Sequence, residues 1–385
     1  MLKWYSYFLS FAFLLIFGIV SHRIKRRVPR DSSHHGFNVI ITGGSKGIGL
    51  NLAHHFLKLG DNVLLASRNK KNLELAVEKL KKKLPSICEQ EKSRLHNNLL
   101  LLLLKKSHLL NNNDTQILDL EKLFAFAHKI FDGKIDIIIN NAGISTPHKH
   151  AMNMNNDEIR RVIDVNLIGM FSCCRQAMLY VDSNANQSTD HHLFVFNMWC
   201  VQNIHIYVHI YIVEYTYMCV YLCELFFFIC CLCYDVMGIE ICSGSGSDGH
   251  STPQHAAYGV SKAGHLQLMD SLNDEILSCK SLEGKISVHS LHPGMVATSV
   301  FSSFVHEDSD LIMANSRTES ADVVCNWLCE KIRGVVSNAE TFKNGGVYIE
   351  WHNPTNALLR ILKGMLGFHK HKFFDSQGKC TVDLD

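Results

Sequence analysis

The sequence predicts an α/β fold: a single doubly wound, parallel, seven-stranded sheet, preceded by an N-terminal membrane helix and interrupted by two insertions. Three observations predict it. A short β-branched run leads directly into a glycine-rich loop and a helix pattern. Strand-like and helix-like segments then alternate to about residue 350. Two stretches, 85–113 and 199–242, break that alternation by composition. With 385 residues, 47% hydrophobic and 19% charged, the chain can bury a sizeable core and is too apolar for disorder. Lys+Arg 38 against Asp+Glu 36 excludes a nucleic-acid binder built on a basic field. Of 14 Cys, seven fall between Cys200 and Cys242; the rest are scattered, as in a reduced compartment.

Residues 1–36 form a segment of their own. Trp4 to Val20 is an uncharged apolar run, about 25 Å long as a helix against a bilayer core of about 30 Å. Lys3 precedes it, and His22, Arg23, Lys25, Arg26, Arg27 and Arg30 follow it. A cleaved signal peptide carries its positive charge first. The run therefore reads as a retained anchor, with a removed targeting segment as the alternative. The positive-inside rule then places the bulk of the chain in the cytosol.

The folded domain covers 37–350. Phe37–Thr42 is a buried parallel strand by type, followed by Gly43, Gly44, Ser45, Lys46, Gly47, Ile48 and Gly49. A helix runs from Ile48 to about Leu59, closed by Gly60. Asn62–Ala66 is a second strand and Asn69–Leu84 a Lys-rich helix. Residues 85–113, with the six-leucine run Leu99–Leu104, read as a low-complexity surface insertion; the alternatives are that the leucines cap the sheet or touch a membrane, which six residues cannot span. Thr115–Leu118 is the third strand, ending at Asp119, and Glu121–Phe131 a helix. Lys134–Ile139 is the fourth strand, ending in Asn140, Asn141, Ala142 and Gly143. Asn156–Val181 reads as one long helix carrying Asn166. His192–Asn197, Lys285–Leu291 and Gly346–Glu350 are the fifth to seventh strands, with helices over Ala256–Ser281 and Ser320–Val336. Residues 351–385 form a C-terminal extension.

For 199–242 three readings compete. It could be a second membrane-associating segment, since Tyr215–Tyr234 is apolar except for Glu224. A zinc site on its cysteines lacks a matched ligand pair. The favoured reading is a segment foreign to the fold, a retained non-coding stretch open in frame or a gene-model error. It falls where strand ends bind ligands, and its removal joins the fifth strand to Ser243 directly.

The chemistry starts at Thr42, Gly43, Ser45, Lys46, Gly47, Ile48 and Gly49. Glycines let backbone approach a pyrophosphate, and the helix start offers free N–H groups and partial positive charge. An ordinary tight turn is the bland alternative. After the second strand, Ser67 and Arg68 stand where an acid would favour NAD. With Lys46 they fit a 2′-phosphate, hence NADP(H). Asp119 is placed to accept from an adenine amino group, or to cap a helix. Tyr258 and Lys262 are one helical turn apart, so they share a face. Drawing a phenol from its pKa of about 10 toward neutrality takes roughly 4 kcal/mol, within reach of a close ammonium in a partly dry cleft. Tyr258 could then exchange a proton near neutral pH. No metal spacing stands out among the 23 His.

The order Gly loop, Asn-Asn-Ala-Gly, Asn166, Ser245, Tyr258, Lys262, Pro293-Gly294 resembles the short-chain dehydrogenase/reductase superfamily over most of 37–350. The resemblance implies a Rossmann-type fold and a tetrad of Asn166, Ser245, Tyr258 and Lys262. Ser245 would hydrogen-bond a substrate carbonyl and Tyr258 would protonate it. Lys262 would orient the nicotinamide ribose and tune Tyr258, and Asn166 would hold a relay water. It further implies cofactor contacts at Asn141, Ala142, Gly143, Pro293, Gly294, Val296 and Thr298, and a homodimer through the two long helices.

More narrowly, Cys173–Met178, the stretch around Tyr258, His292–Val300 and the tail from Ala321 are similar to chlorophyll(ide) b reductases and relatives. The N-terminal anchor is similar to that of 3-ketodihydrosphingosine reductases, which implies the endoplasmic reticulum. The chlorophyll resemblance implies a plastid instead, although the start is not a Ser-rich amphipathic transit peptide. Together these imply an NADP(H)-dependent reductase of a carbonyl on a small lipophilic substrate, held at a membrane by residues 4–20 and binding no nucleic acid. The alternatives are a 3-ketodihydrosphingosine reductase-like enzyme, a product inactivated by 199–242, or a cofactor-binding scaffold without turnover.

Overall fold

The structure, a computed structural model, describes residues 36–84, 99–103, 114–146, 149–184, 192–198, 204–208, 239–243, 254–298, 315, 318–338, 346–351 and 373. The N-terminal run Trp4–Val20, Ser245 and Tyr215–Tyr234 lie outside them, as does nearly all of 351–385. The chain divides into two compact units; Ile204–Ser243 belongs to one, and the sheet described next belongs to the other.

In chain order the sheet unit holds β1 (Asn38–Thr42), α1 (Gly47–Lys58), β2 (Asn62–Ser67), α2 (Lys70–Lys83), β3 (Leu99–Leu103), α3 (Asp114–Ile130) and β4 (Ile137–Asn140). There follow α4 (Asn156–Ile163), a π turn (Asp164–Ile168), α5 (Gly169–Ser183) and β5 (Leu193–Met198). In the other unit, β6 (Ile204–Val208) and β7 (Ile239–Ser243) pair antiparallel, Ile204 with Ser243. The sheet unit resumes with α6 (Ala256–Ser278), β8 (Ile286–His292), β9 (Val296–Ala297), β10 (Glu319–Ser320), α7 (Ala321–Val336) and β11 (Tyr348–Glu350).

Seven parallel strands lie in the order β3-β2-β1-β4-β5-β8-β11. The order reverses between β1 and β4, the switch point at which such sheets bind ligands. Strands β1, β4, β5 and β8 are buried along nearly their whole length, as a sheet covered on both faces requires. One apolar layer joins α1, α2 and α7 to the sheet, and the other joins α3, α5 and α6. Asn156–Ser183 is long and apolar enough to cross a membrane by composition. Here, however, Met170, Cys173, Cys174, Ala177 and Val181 turn into the core.

Three expectations are corrected. The leucine run is the edge strand β3, paired with β2 from Val63–Leu99 to Ser67–Leu103, and not a surface insertion. Residues 115–118 are helical, not the third strand. The physical reason is periodicity: Leu120, Leu123, Phe124 and Ala127 recur at helical spacing and are buried, so the helix extends back through 115. An unbroken leucine run suits a parallel strand. The helix expected over Asn156–Val181 is also broken by the π turn.

Two polar links secure the end of the sheet opposite the glycine loop. Asp61, fully buried, accepts from the Phe37 amide at 2.8 Å and pairs with Arg333 of α7, whose guanidinium lies over the Phe37 ring. Further along the same end, His192 Nδ1 lies 2.9 Å from the Gly284 carbonyl, and its Nε2 lies 2.8 Å from Ser287 Oγ. Ser287 Oγ lies 2.7 Å from His289 Nε2, and Val347 N–H donates to His289 Nδ1 at 3.0 Å. Burial pushes His289 down to about 3, with His192 adding to it, so the ring is neutral. Its Nδ1 accepts, so its Nε2–H donates to Ser287. The serine proton then goes to His192, whose Nδ1–H reaches Gly284. Every group in this chain is used once.

Where α1 meets the start of α7, His54, His55 and Asp322 bring ligand atoms within 4.8 Å of one another. His55 Nε2 is engaged by Asp322 at 3.0 Å, and Lys58 and Lys83 add positive charge nearby. The group reads as a bridge from α1 to α7, not as a metal centre.

Candidate active site

Parallel strands bring their C-terminal ends to one edge of the sheet, and the candidate residues collect there. Thr42 ends β1. Its hydroxyl accepts from the amides of Asn141 (3.1 Å) and Ala142 (3.2 Å) after β4. Asn141 Nδ2 donates back to the carbonyls of Thr42 and Gly43, and the Gly43 amide donates to Ala66 of β2. Ser67 Oγ donates to Ser45 Oγ at 3.2 Å. The glycine loop is thus tied to both neighbouring strands.

Glycine is required at two loop positions. Gly47 has φ +56°, and a methyl group there would also touch Thr298 Cγ2 at 3.5 Å. A Cβ on Gly49 would lie 2.5 Å from Asn141 Nδ2, so only glycine lets α1 approach β4 this closely. The first turn of α1 has no side-chain cap and no acidic residue, which leaves its amide donors for an anion. Lys46 is exposed at its N-cap. These features fit a dinucleotide pyrophosphate. Arg68 is exposed just after β2; partial desolvation and the guanidinium of Arg161 lower its pKa.

Pro293, Gly294, Val296 and Thr298 follow β8. Val296–Ala297 pairs with Glu319–Ser320, which leads into α7 and fixes this segment over the glycine loop beside Gly47. Asp119 lies inside α3 and not at a strand end, so the expected placement beside an adenine through the third strand is not observed. The correction has the same cause as that of the strand: helical periodicity carries the backbone through it.

Asn166 is buried at the centre of the π turn. Its Oδ1 accepts from the Ile144 amide at 2.8 Å, while Nδ2 donates to the Ile144 carbonyl at 2.9 Å and to Ser261 Oγ at 3.1 Å. Ser261 in turn donates to the Tyr258 carbonyl at 2.7 Å. Tyr258 and Lys262 are both buried on α6, with Lys262 Nζ 5.7 Å from the Tyr258 ring centroid and 3.4 Å from the Met198 carbonyl at the end of β5. A Cβ on Gly143 would lie 3.5 Å from Asn166 Oδ1 and 3.9 Å from Lys262 Nζ, which brings Gly143, Asn166 and Lys262 to one spot. A buried cation beside a phenol, next to a loop built for phosphates, can hold a dinucleotide and pass a proton.

Ser261 and His265 were not singled out by sequence reading. The available signal was their spacing: three and seven residues after Tyr258, they share its helical face. Asn140 stands in the Asn-Asn-Ala-Gly run, but its 2.8 Å hydrogen bond to Asn197 beneath the site carried no signal in sequence, because the two meet only through β4–β5 pairing.

Residues 38–188 match the model of the short chain dehydrogenase family. The structure superposes on 3-ketoacyl-(acyl-carrier-protein) reductase from Brucella melitensis, complexed with NADH, with a TM-score of 0.55 at 18% identity, covering 83% of this chain and 98% of that one. A short-chain dehydrogenase/reductase from Mycobacterium marinum gives a TM-score of 0.53 at 16% identity, covering 83% of this chain and 95% of that one. Residues 38–188 thus match the short chain dehydrogenase model, and the chain has the Rossmann-like fold of these solved structures.

The chain is also similar to chlorophyll(ide) b reductases. It is 28% identical to chlorophyll(ide) b reductase NOL of Arabidopsis thaliana over 88% of this chain and 76% of that protein. To the probable chlorophyll(ide) b reductase NYC1 of the same plant it is 26% identical over 89% of this chain and 55% of that protein. Both relatives are named as chloroplastic.

Proposed function

We propose that the protein is an NADP(H)-dependent carbonyl reductase acting on a lipophilic substrate of the chlorophyll(ide) b class. The observation that carries this reading is the convergence of Tyr258, Lys262 and Asn166 beside the glycine loop, at the C-terminal edge of the sheet. Similarity to chlorophyll(ide) b reductases over most of the chain supports the substrate class. Lys46 and the Ser67-Arg68 pair, without an acid at the end of β2, support NADP(H).

When bound, the nicotinamide cofactor supplies a hydride to the carbonyl carbon. Tyr258 gives its phenolic proton to the carbonyl oxygen, and Ser245 donates a hydrogen bond to that oxygen. Lys262 stabilises the phenolate left behind and orients the ribose. Asn166 holds the turn against which α6 packs. The first turn of α1 would hold the pyrophosphate, with Thr298, Val296, Asn141, Ala142 and Gly143 as further contacts to the cofactor. Asp119 has no role in this scheme.

A homodimer through α4, α5 and α6 is supported by Ile159, Phe171, Leu179 and Val260 on those helices and Ile168 in the π turn between α4 and α5, all large exposed apolar residues. The Trp4–Val20 run supports a membrane anchor. The relatives support a plastid and lend nothing to the endoplasmic reticulum.

The test is oxidation of NADPH by the full chain with chlorophyll(ide) b and simpler aldehydes. Tyr258→Phe is expected to lower the rate by about 10² to 10⁴. An unchanged rate in that variant would refute the assigned acid.

One observation favours a second reading. Residue 199 opens the long insertion immediately after Met198, whose carbonyl receives Lys262. A translated form carrying 199–242 would then be inactive, and a shorter form the enzyme. Sequencing the mature transcript decides: Met198 joined close to Ser243 supports this second reading, and an uninterrupted 199–242 in the message removes it.

A further inference from the structure

His265 lies on the face of α6 that carries Tyr258 and Lys262, and is 2% exposed. Its Nε2 lies 3.0 Å from the backbone carbonyl of Asn166, in the π turn. A carbonyl only accepts, so Nε2 carries the proton. Burial first, and the nearby Lys262 ammonium second, hold the ring far below its usual pKa, so it is neutral and Nδ1 is a bare lone pair. That atom is buried and has no hydrogen-bond partner. An aliphatic side chain of similar volume would avoid burying it unsatisfied, so packing alone does not explain an imidazole here.

The carbonyl it holds does explain it. A π turn takes carbonyls out of the regular i→i−4 ladder and leaves them to outside donors. α6 meets this turn at three consecutive places. Ser261 receives Asn166 Nδ2, and Gly264 packs on Leu167 so closely that a Cβ would lie 2.9 Å from Leu167 Cδ1. His265 then donates to the Asn166 carbonyl. Lys262 lies between the first and second of these anchors, and its ammonium and Asn166 Oδ1 both border Gly143.

We propose that His265 is a positioning residue: by clamping the Asn166 carbonyl it fixes the π turn against α6, and so sets the placement of Lys262 relative to Tyr258. The proposal rests on the reductase reading. The charged group facing His265 is Lys262, on its own helix; from the π turn it meets the Asn166 carbonyl.

The test compares His265→Leu, which keeps the volume, with His265→Gln, which keeps an N–H donor, in the full chain. The leucine variant is expected to lose tenfold to a hundredfold in kcat, of the order caused by small misplacements near the chemistry. Its KM for NADPH should stay nearly constant, and its pH–rate profile should move to higher pH. Glutamine should restore kcat and the profile. In parallel, tyrosinate absorbance is titrated in NADPH-loaded protein, with the Tyr258→Phe signal subtracted. Ionisation of Tyr258 should move up by about one pH unit or more in the leucine variant only. This second measurement needs no substrate, so it stands even if every carbonyl tried is refused. Unchanged Tyr258 ionisation in the leucine variant overturns the clamp, as do equal losses in both variants that merely follow the melting temperature. A Tyr258→Phe variant as active as the parent overturns the reductase reading instead.

Discussion

Two buried polar networks sit at opposite ends of the same sheet, and they differ in kind. At one end, His192, Ser287, His289 and the Val347 amide form a chain of neutral groups in which each donor and acceptor is used. At the other end, Asn166, Ser261, His265, Tyr258 and Lys262 surround a buried ammonium, and Nδ1 of His265 is left unsatisfied, as is Nδ2 of Asn197 nearby. Neutral, complete networks stabilise a single arrangement. Buried charge and unused polar atoms stabilise less and are tolerated where chemistry needs them. The same strands support both: β5 begins beside His192 and ends at Met198, which meets Lys262.

The comparison breaks most clearly at Lys262. Lys262→Met should lower carbonyl reduction by at least about 10²-fold, since the proton donor loses its tuning charge. Its melting temperature should hold or rise, because a buried cation is replaced by an apolar chain. A large loss of stability with activity retained would reverse the roles assigned to the two ends.

His289→Leu should do the opposite. It strands the Val347 amide and the Ser287 hydroxyl, which costs about 2–4 kcal/mol in denaturant unfolding, with kcat per folded molecule unchanged. The variant also sharpens the comparison through pH. The folded His289 sits at about 3, below an unfolded value near 6.5, so between those values the unfolded chain binds the extra proton. Its contribution is complete above about pH 6.5 and is lost as pH falls toward 3. The parent should therefore lose stability up to about 1.4 kcal/mol per pH unit faster than His289→Leu across that window. Parallel pH curves for the two proteins would show that His289 is charged in the fold.

Local sequence foretold the glycine loop well, because its constraints are local. The positive φ at Gly47 favours glycine, the close approach at Gly49 admits no side chain, and strand and helix flank them in sequence. Tyr258 and Lys262 were legible for the same reason, since one helical turn places them together. The third strand was not. Thr115–Leu118 and the leucine run are both short, and periodicity over four residues cannot choose between strand and helix. Pairing with β2 chose the leucines.

What the sequence determined by itself were the alternation of elements, the glycine-rich helix start and the spacing of the phenol and ammonium, all set within a few residues of one another. The tertiary structure alone decided where α4–α5 widens into a π turn, which carbonyl His265 reaches, and that Asn140 meets Asn197. Those contacts join segments some 57 to 99 positions apart, and only strand register and helix packing bring such segments within hydrogen-bond distance.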